Sequence, residues 1–83
     1  QMECCKAIIL KKNNYSDTQT IIHAYSLEKG YLSLISPSFF FKRKKHPVHL
    51  MQISEIEYSG NEKARLQKLH TISPLLNLPD LSK

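Results

Sequence analysis

Glycine is scarce in this chain, with two among 83 residues. That excludes a glycine-rich loop cradling a phosphate, which needs several positions free of a Cβ. Cysteine is equally scarce: Cys4 and Cys5 are the only two, and they are adjacent. Neighbouring side chains on a strand point to opposite faces, so the pair neither bridges readily nor shares a metal. A zinc site wants a C-x-x-C spacing with further ligands. Two thiols without a framework indicate a reducing compartment, and the cytoplasm is the expected location. No apolar run approaches the roughly 18 residues needed to cross a bilayer. Lys6 interrupts the stretch from Cys4 to Leu10, which is not the layout of a signal peptide. No G-x-S-x-G or H-E-x-x-H motif occurs. No catalysis, cofactor, small-molecule substrate or membrane partner is therefore expected. At this length there is room for one core, with only about 60% of the unfolded surface buried.

Acidic residues are missing from one long stretch: there is no Asp or Glu from Gly30 to Ser54. Twelve Lys and Arg against seven Asp and Glu give a net charge of +5. Lys42, Arg43, Lys44 and Lys45 lie consecutively within the acid-free stretch and supply four of those charges. A concentrated positive potential of this kind attracts polyanions, most commonly nucleic acid.

The remaining composition, 41% hydrophobic and 23% charged, is that of a globular domain. Cys4 to Lys12 reads as a strand with Ala7 and Ile9 on one face and Ile8 and Leu10 on the other, a pattern that predicts burial on both sides. Asn13 to Asp17 is polar punctuation. Thr18 to Ser26 is rich in strand formers, and Leu27-Glu28-Lys29-Gly30 predicts a tight hairpin, with Gly30 supplying the positive φ. Tyr31 to Ser36 alternates, with Leu32 and Leu34 inward. Pro37 to Pro47 reads as a loop holding at most a helical turn. A fourth strand is expected over His49 to Tyr58. A fifth is expected over Leu66 to Ile72, although the spacing Leu66, Leu69, Ile72 also suits a helical face. The two prolines within Ser73 to Lys83 suggest a linker, with room for a short helix over Leu75 to Leu78. Short strands at this spacing predict an all-β fold, a small five-stranded antiparallel Greek-key barrel of the OB type, with an SH3-like small barrel as the alternative.

One segment joins two chemistries. Phe39, Phe40 and Phe41 directly precede Lys42, Arg43, Lys44 and Lys45. Cations hold phosphates and flat rings stack on bases, the combination that grips a single strand. Arg43 suits a bidentate phosphate contact, whereas lysines act as mobile point charges. A competing role for at least one of the rings is to plug the barrel. Lys11 and Lys12, with Lys63, Arg65 and Lys68 around the last hairpin, form a second cationic set that can extend the basic track. Glu55 and Glu57 read as a solvated strand face. His23, His46, His49 and His70 lack the neighbours a metal site needs. An alternative to nucleic-acid binding is a barrel whose basic loop docks an acidic protein partner.

The order of segments resembles a known family. K-A-I-I-L-K at Lys6 to Lys11, a polar loop with Tyr15, Ser16 and Asp17, T-I-I-H-A-Y-S-L-E-K-G-Y-L-S-L-I from Thr20 to Ile35, and an acidic strand at Ser54 to Tyr58 are similar to the N-terminal domain of RecO, a bacterial recombination mediator. The family usually carries a glycine and a small basic run after the third strand. This chain has Ser36-Pro37-Ser38 and three phenylalanines there instead. The resemblance implies an OB-fold that binds single- and double-stranded DNA, assists annealing, and helps load recombinase together with RecR and single-stranded-DNA-binding protein. By position it assigns the family's basic residues to Lys42, Arg43, Lys44 and Lys45. It also implies a domain over residues 1–72 and a linker over 73–83 leading toward a C-terminal helical domain.

Overall fold

The computed structural model describes residues 2–42, 44, 48–60 and 65–75. These form β1 (Met2–Asn14), β2 (Gln19–Ser26), β3 (Gly30–Pro37), a 3₁₀ turn (Ser38–Phe41), β4 (Ile53–Ser59) and β5 (Gln67–Pro74). The strands close into a barrel in the order β1-β2-β3-β5-β4. Closure leaves no strand edge open along the whole sheet, which protects a small β domain from pairing with its own copies. The all-β barrel expected from the spacing of strands and turns is thus the observed fold, and its strand order suits the OB type. Four pairings are antiparallel, while β3 and β5 meet in parallel through Leu34↔Gln67 and Ile35↔Lys68. That short parallel seam completes the cylinder.

Strand β1, the longest, divides its pairing between two neighbours. Its first half, Met2 to Ile8, pairs with β4, and its second half, Ile8 to Asn14, pairs with β2. Between the halves the register with β2 slips: Ile9 faces Ala24 and Lys11 faces His23, leaving Leu10 as the extra residue of a bulge. A bulge bends a strand and reverses which side subsequent residues face. Cys5, Ala7 and Ile9 therefore point into the core, and beyond the bulge it is Lys12, opposite the buried Ile22, that takes the inward side. The outer residues Ile8 and Leu10 are half-buried. The double burial predicted for this strand is corrected accordingly: a barrel wall has one interior, and the outer apolar residues are covered only in part.

The β2–β3 hairpin forms where the sequence placed it. Ser26 pairs with Gly30, and the Ser26 hydroxyl accepts hydrogen bonds from the Glu28 and Lys29 amides at 3.1 and 3.2 Å. Gly30 has φ +77°, the left-handed value that a Cβ disfavours. β4 begins at Ile53, later than expected from His49, because Val48 turns in to cap the core and Met51 makes a tight turn. The helical-looking spacing of β5 comes from a second bulge. Glu57 faces Thr71 and Tyr58 faces Leu69, so His70 is skipped, and both Leu69 and Ile72 reach the interior. The pairing continues past residue 72, through Pro74 opposite Ser54, and the Leu75 amide donates to the Ile53 carbonyl at 3.0 Å. The helix suggested over Leu75 to Leu78 falls, beyond Leu75, outside the described residues.

The core is a column of Ile9, Ile22, Leu34, Ile56, Leu69 and Ile72, each 0 or 1% exposed, with Phe40 and Val48 closing it. Leu34 is fully buried, so Leu34→Ala should lower the unfolding free energy by about 3 kcal/mol, through lost transfer energy and a residual cavity. Met51 has φ +66°, a conformation costly for a side chain with a Cβ but tolerated by Asn. Met51→Asn should accordingly stabilise by about 0.5–1 kcal/mol. Urea denaturation of both variants checks the pair, and a stabilised alanine variant or a destabilised asparagine variant would contradict it.

Candidate functional site

A 3₁₀ turn has three residues per revolution, so three consecutive side chains leave it in three directions. Ser38–Phe41 disperses its rings in this way. Phe40 points into the barrel and is 7% exposed; Phe41 is half-buried against the core; Phe39 is 64% exposed, its ring edge-on to Phe40 at 5.0 Å. One ring of the triplet is therefore a plug, one a flank and one a surface group.

The β1–β2 loop packs beside this turn. The Ser38 amide donates to the Thr18 carbonyl at 2.8 Å, and the Thr20 and Ser38 hydroxyls share a hydrogen bond at 2.8 Å. Lys12 places Nζ 5.1 Å from the centre of the Phe41 ring. A cation over an aromatic face contributes about 0.5–1 kcal/mol at a partly exposed site. Its further effect is positional, because it brings the cation of β1 to the segment carrying Lys42 and Lys44. Both of those lysines are exposed. Arg43 and Lys45 lie outside the described residues, as do Lys63 and His46. The barrel mouth thus gathers Lys12, Phe39, Phe41, Lys42 and Lys44. Arg65 is exposed, two residues before β5.

Lys11 belongs to a surface that the sequence alone did not single out. Outward residues of β2 and β3 pair as Tyr25↔Tyr31, His23↔Ser33 and Ile21↔Ile35. β1 extends these rows with Ile8 beside Tyr25, Lys11 beside His23 and Asn13 beside Ile21. β5 adds Lys68 beside Ile35. Tyr25 and Tyr31 meet edge-on at 6.5 Å and are 44 and 67% exposed, while His23 Nδ1 and the Ser33 hydroxyl share a hydrogen bond at 3.2 Å. No carboxylate stands in these rows. The alternation of β2 and β3 marked Tyr25 and Tyr31 as outward-facing, and two tyrosines on one solvent face were the available signal.

Carboxylates lie elsewhere. Glu55 and Glu57 are exposed on the outer face of β4, where the Thr71 hydroxyl donates to Glu57 Oε1 at 2.8 Å. Glu3 and Lys29 form an ion pair at 2.9 Å beside the β2–β3 hairpin, at the end away from the mouth. Of the remaining histidines, His70 Nε2 bonds the Ser59 hydroxyl at 2.6 Å and His49 is exposed. Among the described residues no group of three or more His, Cys, Asp or Glu could hold a metal ion, and no helix is long and apolar enough to cross a membrane.

Cys4 is exposed opposite Glu57, and Cys5 is buried. The sheet strips part of the water from the Cys4 thiol, and the charges of Glu55 and Glu57 add to the effect, so its pKa lies above the ordinary cysteine value. The thiolate is the nucleophile, so this environment suppresses reactivity.

Set beside known proteins, residues 2–77 match the family model described as "Recombination protein O N terminal". A search of curated proteins found no significant match.

Iodoacetamide should alkylate Cys4 more slowly than glutathione near pH 8, and replacing Glu55 and Glu57 by Gln should speed the reaction a few-fold. Peptide mapping of the alkylated product measures both rates. A Cys4 that outpaced glutathione would contradict this suppression.

Proposed function

The chain belongs to the family of recombination protein O N-terminal domains, and from that premise we propose that it is a non-catalytic DNA-binding module of recombinational repair. Membership gives it a RecO-like role in recombination. The finer reading is that single- and double-stranded DNA crosses the outer face of β2 and β3 and reaches the barrel mouth. The observation that carries it is the continuity of two tyrosine rings and Lys11 and Lys68 on an acid-free wall, with Lys12, Lys42 and Lys44 at its rim. Bases stack on exposed rings, and phosphates follow cations. Arg43 and Lys45 extend the basic run in sequence and belong to the same proposal. Phe39 is the member of the triplet whose exposure suits base contact. In the cell, the cytoplasm and partners such as RecR-like and single-stranded-DNA-binding proteins fit this role.

With about four phosphate contacts at roughly 0.7 each, log K should fall against log salt with a slope near −3 on a single strand. Replacing Lys42, Arg43, Lys44 and Lys45 together by Ala should weaken binding of a labelled oligonucleotide at least about tenfold and flatten that slope. Tyr31→Ala should weaken binding by about tenfold while leaving the slope unchanged, since stacking releases no counterions. Fluorescence anisotropy from low to moderate salt resolves the two effects. Undiminished binding by the fourfold variant would refute the electrostatic part. A polyanionic peptide that bound better than DNA would favour the acidic-partner alternative.

A further inference from the structure

The mouth of the barrel carries one anomaly among its described residues: Asp17, a carboxylate amid cations. It borders a cleft of about 430 Å³ lined by Asn14, Tyr15, Ser16, Asp17, Ser38 and Lys42. The cleft is built rather than incidental. The Tyr15 and Ser16 amides both donate to the Gln19 carbonyl, at 3.0 and 3.1 Å, and Ser38 is tied to Thr18 and Thr20. These bonds fix both walls before any ligand arrives. Tyr15 is 61% exposed, so its ring is available to a planar group. The Asp17 carboxylate accepts no hydrogen bond from any described residue.

A bare phosphate does not match this lining, because Asp17 would repel it. The lining asks for a ligand with a flat ring for Tyr15, N–H donors for a carboxylate and a negative charge for Lys42. A nucleotide has all three. Among the bases, guanine presents two parallel donors on one edge, its ring N–H and exocyclic amine, which match the two oxygens of a carboxylate. Thymine offers a single N–H between two carbonyls, and both carbonyls would face the negative charge. We propose that this cleft receives one unstacked base of a bound single strand, with Asp17 selecting guanine over thymine and Lys42 holding the adjoining phosphate. This rests on the DNA-binding reading and adds a base preference to it. It further implies that duplex DNA, whose paired edges are occupied, leaves the cleft empty.

The test compares two labelled single strands of about 15 nucleotides, one of dT alone and one of alternating dT and dG, with the chain and its Asp17→Asn variant. The original chain should bind the dG-containing strand about fivefold tighter, less than a desolvated bidentate contact provides because the cleft is open to solvent. Asp17→Asn should bring the two strands to within about twofold of each other and tighten binding to dT, since a negative charge leaves the mouth. A merely structural Asp17 would weaken both strands together. Equal, salt-sensitive binding of the two strands by the original chain overturns the base site and leaves the DNA-binding reading standing. Failure of both strands to bind at low salt overturns both readings. In a complementary measurement, guanosine monophosphate should shift the amide resonances of Asn14 to Asp17 more than thymidine monophosphate does, and equal shifts would count against the proposal.

Discussion

Everything at the barrel mouth depends on the extra residue in β1. In a closed barrel every strand serves two neighbours, and β1 serves its two with different halves, pairing with β4 along the first and β2 along the second. An unbroken strand of this length would have carried the alternation of Cys5, Ala7 and Ile9 on to Lys11. The slip at Leu10 moves Lys11 to the outer wall beside His23 and Lys12 to the inner side above Phe41. One inserted residue therefore decides which cation joins the tyrosine face and which joins the phenylalanine turn. The inward lysine stays at the rim, exposed and over the Phe41 ring, and so avoids the cost of burying an unpaired charge.

The hairpin, the strand count and the barrel were legible because each rests on local chemistry. Gly30 at a left-handed position, Ser26 bonding two following amides and the period-two pattern of Leu32 and Leu34 are all short-range signals. The bulges were not legible. Leu69 and Ile72 sit three apart, which in an unbroken strand would put them on opposite faces, and only the skipped His70 returns both to the core. Nothing in the residue types announces this, because a bulge is selected by the partner strand. The phenylalanine triplet was partly legible. That a ring plugs the barrel follows from its hydrophobicity, but which ring does so depends on a 3₁₀ geometry that Pro37 begins and that spacing alone does not reveal. Tyr25 and Tyr31 were not singled out, because their meeting requires the register Tyr25↔Tyr31.

The distribution of charge separates two sides of a very small molecule. Glu55 and Glu57 stand on the outer face of β4 with Cys4, and Glu3 is engaged by Lys29 at the far end. The rows of the tyrosine wall hold Lys11 and Lys68 and no carboxylate, and Lys12, Lys42 and Lys44 are exposed at the mouth. Surface ion pairs contribute little stability, so leaving these lysines unpaired costs the fold almost nothing. It does preserve their potential. A lysine already held by a carboxylate would have to lose that partner before releasing counterions from a polyanion, and the segregation removes that competition.

The same segregation bears on how a nucleic acid would lie. A track made only of cations binds backbone in any register, because phosphates repeat and point charges do not discriminate among them. Stacking on Tyr25 and Tyr31 is similarly tolerant, since every base has a π-face. Such a wall holds a strand while letting it slide, a useful property for a domain of a recombination family. Asp17 is where that tolerance would end, because a carboxylate reads donors and rejects carbonyls. The bonds from Ser38 to Thr18 and Thr20 set this reading group beside the phenylalanine turn, while the Lys12–Phe41 contact brings the cation of β1 to the same turn, so binding along the strand and any selectivity within it meet at one mouth.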